Sequence, residues 1–575
     1  MDVLGAVDTV ETGHGPIARA LWYRQLERYP STARRVFYLG LVVAATIVLY
    51  YQLYVAGAVA PQILAHYGMS FRFYVDITVV GNAIGAFTSV LAGLADRWGR
   101  ANMVAYGLGV TALLVLVGVP NAPNSWAFAV VISAVGFVEG IILVATPALV
   151  RDFSPQLGRA SAMGFWTLGP VVGSLVVSEV ASHTLSHLVA WQDQFVICGI
   201  VGVVVFLAAL VGLRELAPEL RDQLMVSLRD RALIEARAKG INVEESLRRP
   251  WRQVVTRDIV LSAFAVAVLL LIYYTAVGFN PVYFETVFRF SASKANALGN
   301  WFWAFDAVVL VAVGVVSDRV RVRKPFMLVG AAGAVVMTII YLGKATEPHT
   351  TYYQFALIVS LLAGFLAIAY APWMASFTET VERRNPALTA HGLAVWGWIL
   401  RAVIAVSVFV LPYVVSSTNP LVQYAPLAAK AQAIEKADPN VEIVLAHEAL
   451  FTELAKYPTS KIPGPLLNKA IKDVGLKDLL AVSKDPHIKS EVAFFAAHAS
   501  ELRQVEAAAA ATPTQWQHWY WVCVGGELAF IPLVFVMAGR WSPRRAKQHA
   551  LEHDQLVAQE LAALGASGET TSATR

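Results

Sequence analysis

The sequence predicts an all-α polytopic membrane protein built from two six-helix halves, and three observations carry this prediction. First, the 575 residues are 57% hydrophobic and only 15% charged. A soluble chain carries about 25% charged residues, so this one has too little charge to coat several soluble domains. Second, the hydrophobic residues gather in runs of about 20, the length that crosses ~30 Å of hydrocarbon. Third, the two halves of the chain repeat each other. These features exclude a soluble enzyme, a nucleic-acid-binding domain and a fibrous protein.

Twelve hydrophobic runs are long enough to cross a bilayer. The gaps between many of them are too short to hold a soluble domain, and barrel strands would alternate in polarity, so we expect helices. The predicted spans, numbered one to twelve, are 37–60, 74–94, 101–120, 126–150, 159–182, 194–213, 259–282, 297–317, 325–343, 353–375, 388–415 and 516–539.

Basic residues mark one side of this predicted bundle. With an even number of spans both termini lie on the same side, and its short loops carry Arg34 and Arg35, Arg97 and Arg100, Arg151 and Arg159, Arg319 to Lys324, Arg383 and Arg384, and Arg544 and Arg545. The opposite short loops hold only Arg72, Arg289, Lys294 and Lys344. Because basic loops stay inside, we expect a multi-pass protein of the cell (cytoplasmic) membrane with both termini cytoplasmic. The net charge of +5 then reflects these loops rather than a polyanionic partner.

This topology divides the chain into seven parts. They are a cytoplasmic N-terminal segment (1–36), an N-terminal six-helix bundle (37–213), a cytoplasmic linker (214–258), spans seven to eleven (259–415), an extracytoplasmic insertion (416–515), span twelve (516–539) and a cytoplasmic tail (540–575). The insertion has helical periodicity interrupted by prolines, which predicts a small helical cap. The linker mixes both charges and is predicted to form surface helices, whereas the end of the tail is predicted to be disordered.

Matched residues in the two halves indicate an internal duplication. The offset grows slowly along the chain, as it should if only loops gained residues. The pairs are Tyr50 with Tyr273 (273 − 50 = 223), Asp96 with Asp318 (222), Pro147 with Pro372 (225) and Trp166 with Trp396 (230).

Span two ends in the sequence Gly93-Leu94-Ala95-Asp96-Arg97-Trp98-Gly99-Arg100. It resembles the G-x-x-x-D-R-x-G-R signature of the major facilitator superfamily (MFS) and lies in the loop where that family has it. A second copy, Gly314 to Arg319, follows span eight but departs from the signature afterwards, because Arg321 stands where Gly is expected. The resemblance covers all twelve spans but not the insertion. It implies the MFS fold and a transporter, not an enzyme, that exposes a central site alternately to each side.

The signature loop has a chemistry that can be argued separately. A carboxylate at a helix end accepts hydrogen bonds from free N–H groups of a neighbouring helix, and adjacent arginines can clamp it. The resemblance implies that this loop is a conformational latch between the halves. The latch residues are then Gly93, Asp96, Arg97, Gly99 and Arg100, with Asp318 and Arg319 in the second copy. In the alternative interpretation, the arginines only set topology and face water and headgroups.

Span five carries a second, partial match to a family motif. Gly164, Gly169, Pro170 and Gly173 are similar to the glycine-rich kink motif of antiporter branches, although Phe165 and Ser174 stand where the family has Gly. Glycine permits close helix approach, and proline removes a backbone hydrogen bond. Packing without directional meaning is an equal alternative.

Four ionisable residues lie near the middle of their spans: Glu139, Asp306, Arg401 and Glu527. Each costs about 2.5–3.5 kcal/mol to insert, so each should face a partner or a water-filled cavity. In this family spans one, four, seven and ten line the cavity, which implies that Glu139 is the proton site. A fixed structural acid is the alternative. Glu139 stands at the Gln position of a family motif in span four, R-x-x-Q-G, which this sequence matches only in part because Gly136 replaces Arg. In the family fold, spans eight and eleven neighbour one another, so the resemblance implies a buried pair of Asp306 and Arg401. This pair is either a switch, assigned to proton coupling, or a lock of the helix register. Glu527 is expected to have a structural partner.

Aromatic and amide side chains complete the candidate site. They offer ring faces with polar tips, which suit an amphipathic organic solute. The candidates for substrate binding on spans one, seven and ten are Tyr51, Gln52, Tyr274, Asn280, Tyr370 and Trp373.

The leading functional prediction is export of a small organic solute by proton antiport. Proton-coupled uptake of a metabolite by symport is the alternative, because the arginine of the span-four motif is missing. A third possibility, of another class, is a membrane scaffold or lipid-handling partner that binds an extracytoplasmic protein through 416–515. The expected partners are thus a solute, protons and membrane lipids, without nucleic acid. The sequence contains no Walker A motif, no nucleophile with its base, and no pattern for a metal or cofactor site.

Overall fold

The computed structural model of the protein is almost entirely helical. It describes residues 21–88, 98–153, 159–188, 190–217, 220, 250–384, 389–458, 461–537, 539–544, 548, 552 and 555. Most of the predicted linker and most of the C-terminal tail lie outside these residues.

A helix lies at each of the twelve predicted spans. In order, the helices are Thr32–Ala58, Phe71–Thr88, Arg100–Leu113 continued by a π-helical turn Leu114–Gly118, Ser125–Phe153, Arg159–Thr184, Trp191–Gly212, the pair Arg257–Leu269 and Leu271–Phe288, Ala292–Val320, Lys324–Lys344, Tyr352–Arg384, Thr389–Val414 and Ala499–Leu533. Within the described residues, nine helices are long and apolar enough to cross a bilayer. The predicted all-α polytopic membrane fold is confirmed.

The insertion between spans eleven and twelve is a helical cap. Its helices are Thr418–Gln423, Ala425–Ala437, Pro439–Ala446, Glu448–Leu454, Gly464–Asp473, Leu476–Lys484 and Ile488–Ala497. They enclose a hydrophobic cluster of their own, which includes Val441, Val444 and Phe495. The helix of span twelve begins at Ala499, 17 residues before the predicted start (516 − 499 = 17), so the end of the insertion is a continuation of that span.

The remaining elements are short. Helix Ala60–Tyr67 continues span one, and Pro250–Val254 precedes span seven. Strand Gln25–Leu26 pairs in parallel with Glu215–Leu216, which follows span six. This pairing holds part of the N-terminal segment against the end of the N-terminal half.

The two halves pack together along two pairs of helices, span five with span eight and span two with span eleven. We call the end of the bundle that bears the insertion the cap end, and the end where Arg100 and Lys324 begin their helices the basic end. At the cap end, Gln62 Nε2 donates to Glu285 Oε2 at 3.1 Å and Asn296 Nδ2 donates to the Ala58 carbonyl at 2.9 Å. Further bonds there join Asn300 to the Ser182 hydroxyl and the Phe71 amide to Asn419. These bonds tie the halves together at the cap end.

Candidate functional site

A cavity of about 200 Å³ lies between the two halves. Its volume exceeds the roughly 150 Å³ that accommodates a benzene-sized guest. Spans one, two, four, seven and eleven form its wall. The polar lining residues are Gln52, Tyr54, Tyr74, Thr78, Asn82, Glu139, Tyr274 and Arg401. We take this cavity as the candidate solute site.

Glu139 on span four is the acid of this cavity. Its side chain is only 1% exposed, and within the described part of the chain neither carboxyl oxygen has a hydrogen-bond partner. Its electrostatic neighbours include Tyr50, Tyr54 and Cys198. A buried carboxylate without a partner is unfavourable, so this position favours binding a proton or a hydrogen-bond donor from a solute.

Arg401 on span eleven lines the same cavity from the other half. Tyr50 of span one interacts electrostatically with both Arg401 and Glu139. Among the described residues, no side chain donates a hydrogen bond to either carboxyl oxygen of Glu139, so Arg401 does not donate to it. The cavity therefore separates an acid from a guanidinium.

Glycines bring spans two and four close enough to form this wall. A methyl group on Gly136 would lie 2.9 Å from the Gly81 carbonyl oxygen, and one on Gly85 would lie 3.1 Å from the Gly136 carbonyl oxygen. A methyl group on Gly140 would overlap the Gly85 carbonyl and the Thr88 hydroxyl. Here the helix backbones are in contact, and an arginine at 136 would have no space.

Two of the predicted substrate-binding residues line the cavity, Gln52 and Tyr274. Gln52 is held in place because its Oε1 accepts a hydrogen bond from the Thr111 hydroxyl at 2.9 Å. Tyr54, which is not among the predicted substrate-binding residues, also lines the cavity. Tyr54 lies one turn after Tyr50 and on the same face of span one, whereas Tyr51 points elsewhere.

Four other predicted substrate-binding residues lie outside the cavity. Tyr51 is 1% exposed and has Cys198 of span six as an electrostatic neighbour, within the N-terminal half. Trp373 is buried and donates to the Ser262 carbonyl at 3.1 Å, and Tyr370 stacks on it. Asn280 lines a separate space of about 30 Å³. Membership of a cavity-forming helix was therefore too coarse a criterion, because each helix turns only part of its surface toward the cavity.

The described contacts do not bring Asp306 to Arg401 in this conformation. Asp306 is an electrostatic neighbour of Tyr273, and Arg401 is not among the groups that act on either of them. The helix of span eight packs on spans five and ten, whereas that of span eleven packs on spans two and seven. Glu527 is buried away from the cavity and accepts a hydrogen bond from the Thr338 hydroxyl at 2.7 Å. It therefore has a structural partner.

The signature loop is described from Trp98 onward, so Gly93, Asp96 and Arg97 lie outside the described residues. The Arg100 guanidinium donates to both carboxylate oxygens of Asp152, at 3.1 and 2.9 Å. The Arg100 amide donates to Glu215 Oε2 at 2.6 Å, so a carboxylate caps this helix N-terminus. Gly99 has φ +91°, and a methyl group there would lie 2.5 Å from Glu215 Oε1. Gly99 thus admits both the turn and the capping carboxylate.

In the second copy of the signature, the ion pair is formed by Arg323, which lies one position further along the motif than Arg100 does in the first copy. Arg323 pairs with Asp318 at 2.7 Å and with Glu379 at 3.1 Å, while Arg319 is exposed. The two ion pairs repeat at the offsets of the duplication, 323 − 100 = 223 and 379 − 152 = 227. Arg321, which stands where Gly is expected, keeps a left-handed backbone with φ +58°. Each half therefore carries an arginine–carboxylate pair that joins the start of one helix to the end of the next.

The span-five glycines pack against span one. A methyl group on Gly169 would lie 2.5 Å from Thr46 Cγ2, and one on Gly173 would lie 2.6 Å from Tyr50 Cβ. Pro170 lies inside the same helix, which also includes Gly164. These contacts give Gly169 and Gly173 a packing role that positions Tyr50.

Known proteins resemble this chain in sequence and in fold. A family model described as the Major Facilitator Superfamily matches residues 42–425. Efflux pump radE of Floropilus chiversii is 26% identical over 409 residues, which cover 61% of this chain and 74% of that protein. Probable anion transporter 3, chloroplastic, of Oryza sativa subsp. japonica is 26% identical over 234 residues, which cover 39% of this chain but only 44% of that protein.

Two solved structures share the fold. One is a bacterial homologue of the human lysosomal transporter Spinster in an inward-facing and occupied conformation, with a TM-score of 0.56 and 14% identity, covering 88% of this chain and 97% of that one. The other is a D-xylose-proton symporter, with a TM-score of 0.50 and 14% identity, covering 66% of this chain and 90% of that one. At such low identity these likenesses speak to the fold alone.

Proposed function

The chain belongs to the Major Facilitator Superfamily and is therefore a secondary transporter of a small solute. We propose that its transport is coupled to protons. The solute binds in the cavity between spans one, two, four, seven and eleven, and Glu139 carries the proton. We further propose that the basic end is cytoplasmic, as the distribution of arginines predicts, so that the cap lies outside.

The observation that carries this proposal is the position of Glu139. It is the only acid among the described residues of the cavity wall, and its carboxyl oxygens have no partner there. When the cavity is closed to water, the neutral acid is favoured, and when the cavity opens, the carboxylate is hydrated and the proton can leave. A protonation cycle of this kind links proton movement to alternating access.

Antiport and symport both fit this arrangement. The sequence favours export by antiport through the span-five motif, but Gly169 and Gly173 pack against Thr46 and Tyr50. Close packing is enough to account for glycine at these two positions, so the motif does not indicate the direction of transport. The names of the relatives include an efflux pump and an anion transporter, so they support a solute carrier without selecting a direction.

The test is transport by reconstituted protein, with the solute first identified by thermal-shift screening of metabolites, drugs and lipids at two pH values. We expect an imposed pH gradient to drive solute movement by wild type, and Glu139→Gln to move the solute only down its own gradient. Glu527→Gln is the matched control, since Glu527 is equally buried but bonded to Thr338 outside the cavity. If Glu139→Gln keeps the response to pH, Glu139 is not the proton site.

A second function remains a proposal for the cap. Its separate hydrophobic cluster, with Val441 and Phe495, indicates a unit that packs on its own and so can act as an adaptor for an extracytoplasmic protein or lipid. Replacing residues 425–497 by a short linker separates the two roles. Unchanged transport with loss of a copurifying partner favours an adaptor, whereas loss of transport ties the cap to the transport cycle.

A further inference from the structure

A second, smaller pocket adjoins the solute cavity and is formed by spans one, five, seven and eight. Its volume is about 30 Å³, and Tyr54 and Val277 belong to the walls of both spaces. Resting on the proposed function for the place of the solute, we propose that the solute carries an uncharged hydrogen-bonding group, a hydroxyl in the simplest case, and that this group binds in the small pocket. The hydrophobic body of the solute then lies in the cavity.

The argument begins with Ser174 on span five. This residue lines the small pocket and is 2% exposed, and its hydroxyl has no hydrogen-bond partner among the described residues. A buried hydroxyl without a partner is unfavourable, so this group favours a partner that enters the pocket. Close packing does not require a hydroxyl here, because Gly169 and Gly173 make the tight contacts with span one.

Two amide side chains of the C-terminal half line the same pocket, Asn280 of span seven and Asn296 of span eight. Both amide hydrogens of Asn296 are already used, since its Nδ2 donates to the Ala58 and Ala292 carbonyls at 2.9 Å. Its Oδ1 therefore remains as an acceptor. A solute hydroxyl can donate to that oxygen and accept from Ser174 at the same time. An ether or carbonyl oxygen cannot do both, because it carries no hydrogen.

The size and charge of the pocket favour a small neutral group. A water molecule needs roughly 10–15 Å³ of such space, so the pocket admits a group of about one or two heavy atoms. None of its described lining residues is charged. An ammonium or carboxylate would therefore lie there without a counter-charge, which is costly away from water. The adjoining cavity wall includes the aliphatic side chains of Leu53, Ile132, Leu143, Ile404 and Val408, which suit a hydrophobic body.

The test uses phenylalkanols and their methyl ethers, so that each pair shares one ring and one chain but only the alcohol can donate a hydrogen bond. The alcohols are benzyl, phenethyl and phenylpropyl alcohol, because chain length decides whether the hydroxyl reaches the pocket from the cavity. Each probe is titrated onto the purified full-length protein in one detergent, and its affinity is taken from the saturable rise in melting temperature. We expect one alcohol to bind tightest and its methyl ether to bind about tenfold more weakly.

Variants assign the binding to the pocket. Ser174→Ala removes the hydroxyl without a partner and should weaken binding of the best alcohol about three- to tenfold. Gly299→Ala adds a methyl group that would overlap Ser178 Oγ in the pocket wall, so it should abolish the preference for alcohol over ether. Ser360→Ala is the matched control and should change nothing, because Ser360 is similarly buried but donates to the Ala356 carbonyl at 2.7 Å. Size-exclusion elution at the wild-type volume shows that each variant is folded.

The outcomes separate this inference from the proposed function. Equal affinity for alcohol and ether, which is expected if the pocket holds only water, overturns the hydroxyl site. Absence of saturable binding by every probe, or unchanged alcohol binding by Ser174→Ala, overturns it as well. In each of these cases, loss of pH-driven transport in Glu139→Gln still supports proton coupling. Alcohol binding that depends on Ser174, together with a Glu139→Gln variant that keeps its response to pH, instead supports the hydroxyl site and contradicts Glu139 as the proton site.

Discussion

The two halves carry the same ion pair at the basic end in different surroundings. In the N-terminal half, the side chains of Arg100 and Asp152 are 10% and 3% exposed. In the C-terminal half, Arg323 is similarly covered at 12%, but its partner Glu379 is 42% exposed. Duplication thus preserved the pair of charges but not the degree to which water reaches it.

Neighbouring segments account for the difference. Glu215 caps the helix that Arg100 begins, and strand Glu215–Leu216 is itself held by Gln25–Leu26. Arg24 is 1% exposed and donates to the Ala209 and Leu210 carbonyls at 2.9 Å, which caps the end of span six. Among the described residues near Arg323, the clearest hydrogen bond to a segment outside spans eight to ten runs from the Arg323 amide to the Arg540 carbonyl, at 3.3 Å. The N-terminal half is therefore braced at its basic end, and the value of each ion pair should follow its burial.

The largest expected effect is from breaking the buried pair. Asp152→Asn removes the carboxylate charge that faces the covered Arg100 guanidinium, and breaking a buried ion pair in this way should cost about 3–5 kcal/mol. Glu379→Gln is the matched change in the other half, and because Glu379 is exposed we expect about 0–1 kcal/mol. The measurement is the midpoint of thermal unfolding in one detergent. Equal shifts for the two variants would contradict burial as the cause of the difference.

Much of this architecture could be predicted from the sequence because run length and duplication are properties of the chain itself. The prediction that Glu139 faces a central cavity needed only its assignment to span four. The prediction includes Tyr51 but not Tyr54, because the residue of span one that faces the cavity is set by the rotation of the helix, which the sequence does not fix. The structure shows this rotation at Gly57, where a methyl group would lie 2.8 Å from the Val277 carbonyl of span seven. Gly57 and Tyr54 lie three residues apart on one face of the helix.

The repeated ion pairs were missed for a different reason. The repeat was sought through identical residues, but Asp152 and Glu379 share only their charge, and Arg100 and Arg323 occupy slightly different positions in the two copies of the motif. A search for conserved charge near the offset of 223 would have found both pairs. Asp306 and Arg401 are not brought together because spans eight and eleven pack against different helices in this conformation.

A smaller effect is expected at Gly99, where backbone and packing both exclude a side chain. Gly99→Ala places a methyl group 2.5 Å from Glu215 Oε1 at φ +91° and should destabilise the protein by about 1–3 kcal/mol. Gly68→Ala is the control, because Gly68 also has a positive φ, +58°, but open space around it, so only about 1 kcal/mol is expected. The same thermal midpoint gives both values. If Gly68→Ala costs as much as Gly99→Ala, contact with Glu215 contributes nothing.

The smallest expected effect has the opposite sign and lies in the second copy of the signature. Arg321 adopts φ +58°, a conformation that costs an L residue about 1 kcal/mol relative to glycine. Arg321→Gly should therefore raise the stability by about 0.5–1 kcal/mol, even though it removes a charge. Arg321→Ala removes the same charge but keeps the unfavourable φ, so its thermal midpoint should not rise. A gain shared by both variants would point to relief of repulsion among the neighbouring basic residues Arg319 and Arg323 instead. A rise in stability for Arg321→Gly alone would show that the left-handed backbone at position 321 is unfavourable for Arg321.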